Sequence, residues 1–161
     1  MARVDYDVAE GLVRLIGALD GFDPRTLDIL ASHIALEREI DVLLSRSLRR
    51  SGYVANLGYA QKAKILAAAW GGEDVDADNV LDVLLKFGEL RNKVAHGNSD
   101  LIDQKLANLQ IAYQKIYPLE VGTSPADIAG GIISFFGDAA TPAEIQVMIE
   151  DIERLATDAS E

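Results

Sequence analysis

Apolar residues recur every three to four positions along almost the whole of this chain, and very few runs alternate at period two. A 3.6-residue spacing lines side chains up on one stripe of a helix, whereas a strand needs alternation, so the spacing predicts an all-α bundle of about seven helices. Val8, Leu12, Leu15, Ile16 and Leu19 make a first stripe, closed by Asp20-Gly21. Asp23-Pro24 reads as a cap followed by proline at the first helical position. It opens the longest segment, which runs to about Arg50 through Ile29, His33, Leu36, Ile40, Leu43 and Leu44, with Leu27, Leu30 and Ile34 widening its stripe. Tyr59, Ala63, Leu66, Ala67 and Trp70 mark a third helix, stopped by Gly71-Gly72. The fourth starts near Asp76–Asp78, where carboxylates favour a helix N-terminus. The fifth carries Ile102, Leu106, Leu109, Tyr113 and Ile116, from a cap at Ser99 or Asp100 to a stop at Pro118. Two short helices are expected after it, because Ser124-Pro125-Ala126-Asp127 and Thr141-Pro142-Ala143-Glu144 repeat one start signal of hydroxyl, proline and acid. The centre is expected to be the second and fourth helices packed antiparallel.

The chain has 161 residues, 49% of them hydrophobic, which suits one domain over residues 1–161. It divides into a helical core over residues 22–117 and an acidic helical extension over 118–161. There is no cysteine, so disulfides, thiolate metal sites and thiol nucleophiles are excluded. Met1-Ala2-Arg3-Val4-Asp5 lacks the apolar run of a signal peptide, and the apolar stretch Ile128 to Gly137 falls short of the ~20 residues that span a bilayer. A soluble cytoplasmic protein, with no membrane partner, is the expectation. The net charge of −11 argues against a general nucleic-acid binder. The charge is uneven: residues 1–105 hold 13 Lys/Arg against 17 Asp/Glu, and residues 106–161 hold 2 against 9. The nearly neutral part has Arg46, Arg49, Arg50, Lys62, Lys64 and Lys93 available for an anionic partner.

Several site readings fail on spacing. Glu73, Asp74, Asp76 and Asp78 hint at a calcium loop, but Asn79 and Leu85 stand where its glycine and bidentate acid are required. His33 and His96 lack zinc-type spacing, and no Gly-rich phosphate loop follows a strand, so no metal or cofactor is expected. Gly130-Gly131, between Ile128 and Ile132, reads as a place of close helix packing. His33 lies on the apolar stripe of the long helix, where a locally bonded core histidine is the default.

The informative passage is Arg91-Asn92-Lys93-Val94-Ala95-His96-Gly97. Val80, Leu84, Phe87, Arg91 and Val94 share one stripe, which puts a permanent charge where the helix should be apolar, and such a charge must be paired or used. Glu37, Glu39 and Asp41 are candidates to neutralise it, Glu37 first. Gly97 offers a C-cap, after which the His96 imidazole would fold back towards the same cleft.

Arg91, four residues and His96, with Asn92 after the arginine, resemble the signature of the HEPN superfamily of helical domains. His33-Ile34-Ala35-Leu36-Glu37-Arg38-Glu39-Ile40-Asp41 is similar to the long helix of that superfamily. Gln61-Lys62-Ala63-Lys64-Ile65-Leu66 is similar to the next helix in the branch with the mannitol operon repressors and related uncharacterised domains. The likeness covers residues 24 to 117. It implies a homodimer with two motif copies facing one cleft. In the catalytic reading it implies a metal-independent endoribonuclease. There His96 would be acid/base in attack of a ribose 2′-hydroxyl on phosphate, Arg91 would hold the phosphorane, Asn92 would orient either partner, and Glu37, Lys93 and His33 would support them. Asn98 stands where the defence-toxin branch often has tyrosine. In the repressor-like reading the domain is a non-catalytic regulator that binds a protein, and Arg91 and His96 hold helices together. The partner is accordingly RNA or a protein (an antitoxin or a regulator).

Overall fold

In the computed structural model the described residues are 23–96 and 99–138. They form five α-helices and no β-strand: α1 (Thr26–Ser47), α2 (Tyr59–Ala68), α3 (Asp74–Ala95), α4 (Ile102–Tyr113) and α5 (Pro125–Asp138). Short 3₁₀ turns at Ser51–Tyr53 and Ser99–Leu101 precede α2 and α4. The stripe from Val8 to Leu19 and the start signal at Thr141-Pro142 lie outside the described residues.

The helix starts follow their local chemistry. α1 starts two residues later than Asp23-Pro24 predicts: its N-cap is Arg25, without a side-chain cap bond, and the Asp23 carboxylate accepts the Arg25 backbone N–H at 2.9 Å in the turn before it. The same carboxylate pairs with the Arg25 guanidinium at 2.7 Å, and that bond holds the Asp23 pKa down at about 2. At the head of α5 the bonds are reciprocal. Ser124 Oγ accepts the Asp127 N–H at 3.1 Å, and Asp127 Oδ2 accepts the Ser124 N–H at 2.8 Å. With fourteen residues, α5 is longer than the short helix its spacing predicts. Its face of Ile128, Ala129, Ile132 and Phe136 is buried over more than two turns, and that packing sustains it beyond its capped start.

The hub is α3. Ala77, Val80, Val83, Leu84, Phe87, Leu90 and Val94 are all buried on it, and it packs against α1, α2 and α4. Its most extensive partner is α4, so the centre is not the expected pairing of α1 with α3 alone. Val83 and Leu90, outside the stripe that the spacing predicts, are also buried, which two helices in contact would not need. α1 supplies Ile29, Leu36, Ile40, Leu43 and Leu44 to the same core, and α5 returns to cover α1. Each such side chain, fully buried, contributes about 1.5–3 kcal/mol. Among the described residues three buried polar atoms, Thr26 Oγ1, Tyr59 Oη and Trp70 Nε1, have no hydrogen-bond partner.

Where α5 meets α4, a Cβ added to Gly131 would collide with the Tyr113 hydroxyl and crowd its ring, while one added to Gly130 meets nothing. Only Gly131 therefore serves the close packing expected of the pair. Gly131→Ala should lose about 1–3 kcal/mol through overpacking, less what the better helix former returns, and Gly130→Ala should gain up to about 1 kcal/mol. Urea unfolding of both variants checks the opposite signs.

Candidate functional site

The charged stripe position behaves differently from its period. Arg91 is exposed, and its one hydrogen bond among the described residues runs from Nη1 to Asn92 Oδ1 at 3.2 Å. Position 91 falls in the last turns of α3, where the neighbouring helices no longer cover it, so the long side chain carries its charge out to water. The expected pairing of Arg91 with Glu37 is absent. Glu37 lies 3.7 Å from Lys62 Nζ instead. Lys62 is the buried cation of this fold, at 5% exposure, and it also approaches Asp41 at 2.8 Å. It is thus an internal tie between α1 and α2, and is not available to an external anion. The motif missed this because Lys62 was read as surface charge. The signal was there, since Lys62 follows Tyr59 by three and precedes Leu66 by four, inside the apolar stripe of α2.

His96 caps the C-terminus of α3, its N–H bonded to the Asn92 carbonyl at 3.1 Å. Its imidazole is exposed and is not among the side chains that line the neighbouring cleft. Gly97 and Asn98 lie outside the described residues. Lys93 is half-buried.

The cleft lies where α1, α2 and α3 meet and measures about 580 Å³. His33 and Glu37 come to it from α1, Tyr59 and Lys64 from α2, and Arg91 and Asn92 from the end of α3. The first half of α1 thus lies beside the last third of α3, the sense of an antiparallel crossing. The Tyr59 ring sits against the bare backbone of Gly88, where a Cβ would approach it to 3.2 Å. Its other neighbour is the His33 ring, with centroids 4.2 Å apart. Tyr59 was legible only as a core position, because its partners come from helices distant in sequence.

His33 is 6% exposed, and burial, with the positive charge of Arg91 beside it, lowers its pKa from 6.5 to about 4. The imidazole is therefore neutral at physiological pH, with no hydrogen bond to another described residue, unlike the locally bonded histidine that its position predicts. Burial also raises the Tyr59 pKa, and the nearby Glu37 charge adds to the shift. The cleft so combines the neutral polar groups of His33 and Tyr59 with the charges of Arg91, Lys64, Glu37 and Glu89, the last paired with Lys105 at 2.6 Å. Among the described residues no cluster of three or more His, Asp or Glu is placed to hold a metal ion, and no helix is long and apolar enough to cross a membrane.

Because its pKa is lower folded than unfolded, His33 contributes stability that is complete above about pH 6.5 and is lost as the pH falls towards 4. At about 1.4 kcal/mol per unit the loss is on the order of 2–3 kcal/mol. His33→Gln removes the titration, so the stability gap between wild type and variant should shift by about that amount in the variant's favour between pH 7 and pH 4.5. Urea titrations at three pH values measure it, and a gap that stays constant with pH would contradict the burial argument.

No protein-family model, no curated protein and no solved structure matches this chain, so the site is read from its own geometry.

Proposed function

We propose that this chain is a HEPN-like domain that cleaves RNA without a metal ion, using Arg91, Asn92 and His96 at the end of α3 in a site completed by a second copy. The state of Arg91 carries the reading. Its guanidinium is exposed and paired with no carboxylate among the described residues, so no structural role consumes its charge. A planar fork of donors in that state suits a phosphate, and the carbonyl end of a helix is a favourable place for a cation.

In this reaction the His96 imidazole of one copy takes the proton of a ribose 2′-hydroxyl as that oxygen attacks the adjacent phosphorus. Arg91 donates to the phosphorane oxygens as their charge grows. The P–O5′ bond breaks, and the leaving oxygen takes a proton from the imidazole of the second copy. The products are a 2′,3′-cyclic phosphate and a free 5′-hydroxyl. Asn92, already bonded to Arg91, fixes the plane of the guanidinium.

A second reading, a regulatory domain that binds protein and resembles the mannitol operon repressors, is favoured by the net charge of −11, which repels RNA. The exposure of both Arg91 and His96 weighs against the version of it in which they hold helices together.

Incubation of the dimer, verified by light scattering, with single-stranded RNA in excess chelator separates the two readings. Cleavage leaving cyclic-phosphate ends is expected from the wild type. Arg91→Ala and His96→Ala should each reduce it by about 100-fold or more. Both replace exposed side chains, so both should melt within about 0.5 kcal/mol of the wild type. RNA left intact by the wild-type dimer would end the nuclease reading.

A further inference from the structure

Three polar groups of the cleft have hydrogen-bonding capacity that no described residue uses, and the Tyr59 hydroxyl among them is fully buried. The His33 imidazole is more than nine-tenths buried and hydrogen-bonds to nothing among the described residues. The Tyr59 hydroxyl is buried without a partner. The Glu37 side chain is 37% exposed, and its carboxylate, ion-paired with Lys62 at 3.7 Å, accepts no hydrogen bond among them. Buried polar groups are ordinarily paired, because each one left open costs about 1–3 kcal/mol. Open groups gathered on the wall of one cleft of about 580 Å³, a size typical of small-ligand sites, point to a ligand that pairs them.

We propose that this cleft is a nucleobase pocket that selects guanine, holding the base of a nucleotide whose phosphate rests on Arg91. The inference rests on the RNA-cleaving reading and names its substrate preference. Arg91 and Asn92 line the same cleft as His33 and Glu37, so a nucleotide with its phosphate on the guanidinium can seat its base among them. Glu37 offers two acceptor oxygens and no donor. Guanine presents two adjacent N–H donors, N1 and N2, on one edge and matches them in parallel, whereas cytosine offers one amino group beside an acceptor. The neutral His33 ring supplies one further donor and one acceptor without bringing a second charge into the pocket. Lys64, which also lines the cleft, adds a cation for the sugar–phosphate backbone.

The test is calorimetric titration of the full chain with guanosine 3′-monophosphate, cytidine 3′-monophosphate and inorganic phosphate. The guanine nucleotide should bind at least about tenfold more tightly than either of the others. Glu37→Gln should erase that preference, and His33→Phe, which keeps the ring volume, should weaken both nucleotides and leave phosphate unchanged. A thermal melt of each variant establishes that it is folded. Equal binding of all three probes, no binding at all, or a preference that survives Glu37→Gln overturns the pocket. Guanine-selective binding by a protein that leaves RNA intact would sink the nuclease reading alone, and RNA cleavage without nucleotide selectivity would sink the pocket alone.

Discussion

Everything described here depends on α3 being buried against three other helices at once. A helix with one covered face needs a single stripe, but Val80, Val83, Leu84, Phe87 and Leu90 spread around α3 because α1, α2 and α4 each claim part of it. A helix enclosed in this way meets water freely only where its neighbours stop. Arg91, Asn92 and His96 stand at that place. The position of the candidate site is therefore a by-product of how the core is closed: the helix that organises the apolar interior also delivers polar groups to its own uncovered end.

The second constraint is the Lys62 ammonium. Taking a cation out of water is unfavourable by several kcal/mol unless acids compensate it, and Asp41 and Glu37 from α1 do so here. The tie sets how α2 lies on α1, and with it the contact between Tyr59 and His33 one turn earlier. It also engages Asp41 closely and Glu37 more loosely, at 3.7 Å, two of the three acids that sequence spacing assigned to Arg91. One buried cation thus leaves another free at the surface, and the chemistry proposed for Arg91 follows from the needs of Lys62.

The legible parts of the sequence were those decided within a few residues. Ser124-Pro125-Ala126-Asp127 announced a helix start because capping bonds form between near neighbours, whereas Asp23-Pro24 marked one only to within two residues. The apolar period found the helices because burial acts on one side of each. The fate of Arg91 was not legible in this way. A period gives the direction in which a side chain leaves its helix, but the reach of the neighbouring helices decides whether protein or water is met there. The same holds for the cleft: His33 and Tyr59 are separated by more than a helix length of chain, and no spacing rule joins them. The length of α5 was underestimated because a start signal carries no information about where the packing surface beyond it ends.

Trp70, just past the end of α2, is the chain's single tryptophan, and its indole lies nearly parallel to Phe135 of α5 at 6.0 Å and tilted against Phe136 at 6.1 Å. The intrinsic emission of this protein therefore originates at the seam between α5 and the end of α2, outside the residues that line the cleft. A fluorescence trace during unfolding will follow the departure of α5, while circular dichroism follows all the helices together. Should the two curves separate, the gap between them would measure how much of the bundle stands after α5 has let go.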